Sequence, residues 1–164
     1  MPSPHFAETL SELPDLDATL ERSGLQFMQD VLEGRLPGPP IGKTLGFTLA
    51  EVAEGRVVFE GTPEFPVTNP MRTVHGGWYG AILDSAMACA VMTKVPQGSV
   101  YTTLEYKVNI LRPIPLGTTV RAVGETQHSG RSTGVARAEL RGMEGDTLYA
   151  TGSTTCIIMA MDRG

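Results

Sequence analysis

The stretch from Asn69 to Thr93, NPMRTVHGGWYGAILDSAMACAVMT, constrains this chain of 164 residues more than any other. From Gly77 onward it is apolar on almost every side of a helical wheel, with Asp84 as its one charge. A helix at a protein surface shows an apolar stripe and a polar back; one that is apolar all round is enclosed by other elements. About seventeen residues at roughly 1.5 Å each make a rod of about 25 Å. That is too short and too interrupted to cross the roughly 30 Å of a bilayer's hydrocarbon. The expectation is a central helix in a soluble domain.

Asp is almost never fully buried without a partner, so Asp84 either faces a cavity or serves a polar contact between helices. Its neighbours at helical spacing are Gly80, Ala81, Met87 and Ala88. Three of the four are small, which leaves room beside the carboxylate for another molecule and marks a candidate site. Ahead of it, His75-Gly76-Gly77 falls where the helix starts. Glycines permit close approach to the backbone, and the first amides of a helix have no internal partner. Such amides can stabilise a carbonyl oxygen that gains negative charge. The plainer alternative for these three residues is a tight turn from loop to helix.

The length suits one domain with a sizeable core. A net charge of −5 disfavours non-specific nucleic-acid binding, which needs a basic surface. Cys89 and Cys156 lie in apolar segments without metal-ligand spacing, so they read as reduced, buried residues of a cytoplasmic protein, and no metal site is implied. The start, MPSPHFAETLSELPDLD, has no basic, then apolar, signal pattern.

Residues 1 to about 16 read as a loose arm, followed by a moderately amphipathic helix from Ala18 to Glu33 and a proline linker at Pro37–Pro40. Phe47–Val52 and Arg56–Glu60 flank Glu54-Gly55 as a hairpin. Beyond the central helix the period changes to two. Ser99–Leu111 alternates, with Leu104, Tyr106, Val108 and Ile110 on one face and Glu105, Lys107 and Asn109 on the other. Thr118–Gln127, Ser132–Arg141 and Thr147–Met159 complete four long antiparallel strands. Two short strands, one enclosed helix and four long strands make an α+β plan, with a sheet curled round the helix.

The pattern Asn69-x5-His75-Gly76-Gly77-x6-Asp84, then Leu111-Arg112-Pro113 and the turn His128-Ser129-Gly130-Arg131, resembles the hotdog-fold acyl-CoA thioesterases of the phenylacetate-pathway, PaaI-like type. The likeness covers about the last three quarters of the chain. It implies a hotdog domain over residues 41–164, preceded by an arm and helix over 1–40. It implies hydrolysis of an acyl-CoA thioester without a cofactor, coenzyme A being part of the substrate. Asp84 would then be the general base or nucleophile, the Gly76 amide the oxyanion donor, and Asn69 a holder of the water or carbonyl. His75 would fix the Asn69 loop, and Gly77 would line the substrate site. Counting back from Leu111-Arg112-Pro113, Thr103 falls where such proteins place a hydroxyl near the attacking water. Strand alternation instead puts Thr102 in phase with the apolar residues, a conflict that a bulge or a subunit seam would remove. Gly130 and Arg131 match positions at the nucleotide end of coenzyme A. Arg72 departs from the pattern, since a glycine is common there; it could meet a phosphate or an acidic acyl group.

Gly76 and Asp84 are eight residues apart, a rise of roughly 12 Å along one helix. Both must come within about 3 Å of one carbon. A pair of chains with antiparallel helices about a two-fold axis meets that demand, so a homodimer is expected, and the family likeness implies dimers often paired into homotetramers. Trp78, Tyr79 and the N-terminal helix would line the acyl pocket. A non-catalytic acyl-CoA sensor would keep the glycine turn but not need Asp84, and a hydratase on the same fold would need its acid and base closer together.

Overall fold

The computed structural model describes residues 5–161. The first four residues of the expected arm lie outside them. Three short helices open the chain: α1 (Leu16–Leu20), α2 (Gly24–Leu32) and α3 (Pro40–Leu45). The hairpin β1 (Phe47–Ala53) and β2 (Arg56–Gly61) follows, then the central helix α4 (Gly76–Met92). The long strands β3 (Ser99–Ile110), β4 (Val120–Ser129), β5 (Thr133–Gly142) and β6 (Leu148–Ala160) complete the chain. All pairings are antiparallel, in one six-stranded sheet of order β1-β2-β4-β5-β6-β3. Among the described residues no helix is long and apolar enough to cross a membrane.

The helix can sit against the sheet because the strands present small residues to it. Ala122, Ala136, Ala138 and Ala150 are buried on the helix-facing side, and Gly124, Gly134 and Gly152 share that face. A Cβ added at Gly124 would lie 2.1 Å from the Ala86 carbonyl oxygen, and one at Gly134 would lie 2.3 Å from Val91 Cγ1. At these points of closest approach the bulk comes from the helix, whose Ile82, Leu83, Met87 and Val91 are wholly buried, while Val120 and Leu140 fill the sheet side farther along. Trp78 and Tyr79 anchor its first turn. The Trp78 indole N–H donates to the Leu45 carbonyl at 2.8 Å, and the Tyr79 hydroxyl accepts from the Ile114 amide at 2.9 Å. Both rings belong to the core rather than to a pocket lining, because each has its polar atom satisfied by a buried backbone group.

The N-terminal region departs from the sequence reading. One helix over Ala18–Glu33 is two, because Ser23 starts a new one. Its hydroxyl accepts from the Gln26 amide and the Gln26 side chain reaches back to the Ser23 N–H, a reciprocal cap that fixes a helix start. The arm is tied down at Phe6, which bridges to Gly38, and at Ala7, which is buried, while residues 8–12 stay exposed. The proline run is no free linker either, since Pro40 opens α3 at the position where a missing N–H costs nothing. The helix α2 packs on β1 and α4, while α1 reaches the start of β3. Strands β1 and β3 are the two ends of the sheet, so α1 and α2 lie across the gap left as the sheet curls round α4.

Substituting Gly124→Ala is expected to destabilise the fold at or beyond the upper end of the about 1–3 kcal/mol typical of overpacking, because the clash is with helix backbone. Chemical denaturation of both proteins measures it.

Candidate active site

The loop before α4 is tied by Asn69. Its side-chain oxygen accepts from the Met71 amide at 2.9 Å and the Thr73 amide at 3.2 Å, and its side-chain nitrogen donates to the Thr73 hydroxyl at 2.9 Å. Both ends of the Asn69 amide thus work within the loop. Arg72, inside this turn, has φ of 63°. That is the left-handed region in which a side chain is strained and glycine is not. A glycine would suit this position, and the exposed arginine occupies it against local preference.

His75 is the N-cap of α4, and its Nδ1 accepts from the Gly77 amide at 2.9 Å. A neutral ring bonded this way carries its proton on Nε2. The cap uses the Gly77 N–H and leaves the Gly76 N–H, at the first helical position, without an intrahelical partner. Gly76 and Gly77 are exposed. A Cβ at Gly77 would sit 3.0 Å from His75 Nδ1, so the ring fits over the helix end because residue 77 has no side chain.

Asp84 lies between α4 and β3, where the Thr103 hydroxyl donates to Asp84 Oδ1 at 3.1 Å. A bulge in β3 makes this contact possible. Thr103 pairs with Cys156 and Glu105 with Thr155, leaving Leu104 as the extra residue. The extra residue shifts the side-chain alternation by one. Tyr101 and Thr103 before it, and Tyr106, Val108 and Ile110 after it, therefore all lie on the helix side. Thr103 rather than Thr102 is in phase, and Leu104, expected on the apolar face, is displaced and 60% exposed.

Burial raises the Asp84 carboxyl above its ordinary 3.8, opposed by the Thr103 hydrogen bond, which favours the charged form. Cys156 Sγ lies 4.0 Å from the Thr103 hydroxyl. The Cys89 thiol is pushed up to about 12 by burial and the Tyr101 hydroxyl is raised as well, so both stay neutral beside the carboxylate. Sequence reasoning assigns Cys89, Cys156 and Tyr101 no place here. Only Tyr101 carries a signal, as the residue two before Thr103.

Helix and strand run past each other in step. A Cβ at Gly76 would lie 3.5 Å from Ile110 Cδ1, one at Gly80 would lie 3.1 Å from the Tyr106 hydroxyl, and Asp84 meets Thr103. One chain therefore keeps the Gly76 amide and the Asp84 carboxylate roughly two helical turns apart along the seam of α4 and β3. The turn holding Gly130 and Arg131 is beside the far end of α4, where Gly134 approaches Val91. Among the described residues no group of three or more His, Cys, Asp or Glu could hold a metal ion.

The sequence profile of the thioesterase superfamily matches residues 71–153. Among curated proteins nothing matches the chain. A phenylacetic acid degradation-related protein from Ralstonia eutropha is 28% identical, with a TM-score of 0.72 over 80% of this chain and 98% of its own. A mutant of the phenylacetic acid degradation protein PaaI from Thermus thermophilus is 27% identical, with a TM-score of 0.66 over 72% of this chain and 97% of its own. A hypothetical thioesterase from Streptococcus pneumoniae, solved with coenzyme A, shares the fold at 20% identity, with a TM-score of 0.65 over 73% of this chain and 91% of its own. The curved sheet round one central helix is thus the hotdog fold, with added helices at the N-terminus.

A carboxyl raised by burial binds its proton more tightly folded than unfolded, so its contribution to stability falls as pH rises from 3.8 toward the folded value and stays lost above it. Asp84→Asn removes the ionisation. The variant is expected to unfold at a higher denaturant concentration than the unchanged protein at pH 7, and the gap should close at low pH.

Proposed function

Because the chain belongs to the thioesterase superfamily, we propose that it hydrolyses an acyl-CoA thioester to a free acid and coenzyme A, at two equivalent sites between the subunits of a homodimer. The observation that carries this reading is the step-for-step match of α4 to β3. Strand β3 ends the sheet and has a free edge, and its Leu104, Tyr106 and Ile110 are exposed at 60%, 48% and 49%. Covering such an edge with a second copy removes both the unpaired backbone and the apolar surface. A two-fold axis at Lys107, with Leu104 left unpaired as the extra residue of the bulge, would bring Thr103 opposite the partner's Ile110. Asp84 tracks Thr103 and Gly76 tracks Ile110, so the carboxylate then faces the partner's Gly76. The face of α4 around Asp84 is built of small residues, Gly77, Gly80, Ala81 and Ala88, which allows two such helices to approach.

In this reading the thioester carbonyl accepts a hydrogen bond from the Gly76 amide, the one that the His75 cap leaves unused. Thr103 holds Asp84 through Oδ1 and leaves Oδ2 to act. Asp84 takes a proton from water as the water oxygen attacks the carbonyl carbon. The oxyanion forms at the amide, then collapses and expels the coenzyme A thiolate, which takes up a proton. Direct attack by Oδ2 is the other route, and trapping of a labelled acyl group on Asp84 separates the two. Asn69, with its amide engaged in the loop, serves by setting where Gly76 begins the helix. In the two-fold pair Arg131 and the partner's Arg72 come to the same end of the site, where the phosphates of coenzyme A need positive charge on an otherwise acidic protein. The fold carries coenzyme A in the Streptococcus pneumoniae relative.

Asp84→Asn is expected to reduce thiol release from acyl-CoA by at least about 100-fold, read with a thiol reagent, while coenzyme A binding persists; a protein inactive on every acyl-CoA even when unmutated would instead be a sensor. Thr103→Ala should move the acidic limb of the pH–rate profile to higher pH, since the hydrogen bond it removes lowers the Asp84 value, and Thr103→Ser should restore it. Tyr106→Asp sets two like charges at diagonal positions across the proposed axis, on apolar surface that the pairing would bury. Sedimentation should find monomers, and activity should fall in parallel; an active monomer would sink the shared site.

A further inference from the structure

Beneath α2 lies a cleft of about 380 Å³, walled by α2, by β1, by the loop between α2 and α3, and by the inner faces of α4 and β3. It reaches the neighbourhood of Asp84 from inside the fold. Ser85 and Cys89 of α4 line it, as does Tyr101, the helix-facing residue next before Thr103 on β3. Two strand residues span roughly 7 Å. The inner end of the cleft is therefore about one such step from the Thr103 hydroxyl that holds the carboxylate.

Resting on the thioester reading above, we infer that this cleft is the acyl chamber, and that it selects uncharged acyl groups larger than a benzene ring, straight medium-length chains or arylalkyl groups. Size sets the capacity: a dry cavity of about 150 Å³ already holds benzene, this one is more than twice that volume, and groups that fill it bury the most apolar surface. Charge sets the class: among the described residues no Asp, Glu, Lys or Arg lines the cleft, and His5, which does, is exposed to solvent. The groups that could titrate near its inner end, Cys89 and Tyr101, are held neutral by burial. The Ser85 hydroxyl is spent on the Ala81 carbonyl at 2.9 Å. A carboxylate at the far end of an acyl chain would find no lysine or arginine here and would lose its hydration. Apolar side chains from Phe27, Val31 and Leu32 of α2 form the outer wall. That helix lies outside residues 71–153, the span of the superfamily profile. The selectivity is thus set by the N-terminal helices, laid over a site that the span of the profile supplies.

The test uses coenzyme A thioethers, which have no carbonyl to hydrolyse, with binding followed by calorimetry, and acetyl-, octanoyl- and succinyl-CoA as substrates. The unchanged protein should bind S-octyl-CoA at least about tenfold tighter than S-ethyl-CoA, and should favour octanoyl-CoA over acetyl- and succinyl-CoA. Val31→Trp, which fills the chamber, should bring S-octyl-CoA to about the affinity of S-ethyl-CoA and leave the latter unchanged. Leu32→Ala, which enlarges the chamber, should improve S-dodecyl-CoA relative to S-octyl-CoA and guards against misfolding of the first variant. Equal weakening of both thioethers by Val31→Trp, or no effect of either variant on chain-length order, overturns the chamber even if hydrolysis is robust. The expected binding pattern with no hydrolysis of any acyl-CoA keeps the chamber and overturns the hydrolytic reading.

Discussion

Everything in this molecule depends on how closely α4 can approach the sheet. A helix apolar on every side gains most by losing all its water, and dispersion falls steeply with any gap. The sheet answers with glycine and alanine where the helix comes closest, and keeps Val120 and Leu140 for the ends of that face. Such close seating fixes the helix in register with β3 as well. Gly76, Gly80 and Asp84 meet Ile110, Tyr106 and Thr103 in order, and this spacing is what makes a shared site between two chains geometrically reasonable.

The one charge in the helix is held by a local irregularity. Were β3 a regular strand in phase with Tyr106, Thr103 would point away from α4 and Asp84 would lose the donor it has. The single extra residue at Leu104 turns the hydroxyl inward and keeps Tyr106, Val108 and Ile110 on the helix side. The same residue leaves an apolar side chain on the surface of an edge strand. Bulges of this kind re-aim side chains beside active sites. Strain in the preceding loop has a similar character: Arg72 is kept at positive φ by the Asn69 hydrogen bonds around it.

The N-terminal helices have a different relation to the fold. They do not build the site. They close the space between the two ends of the curled sheet, and in doing so they turn an open seam into a cleft with apolar walls. The curled sheet and α4 hold Asp84, Thr103 and the Gly76 amide, and the N-terminal helices supply the outer wall of the cleft beside them.

Much of this is legible in the sequence, since it follows from interactions short in sequence. The enclosed helix, its start at His75-Gly76-Gly77, the lone Asp84, the hairpin and the four long strands are written in periodicity and turn chemistry, which act over a few residues. The Ser23–Gln26 cap is equally local, but apolar periodicity runs straight through it and reads one N-terminal helix where two exist. What only the tertiary structure decided has a different physical origin. Whether Thr102 or Thr103 faces the carboxylate turns on one extra residue, which alternation cannot reveal because the pattern reads plausibly in either phase. That Trp78 and Tyr79 are core, and that Phe27, Val31 and Leu32 line a cleft, depends on which elements meet across long stretches of chain. The burial that raises Asp84 likewise exists only once strand, helix and the segments around them have closed together.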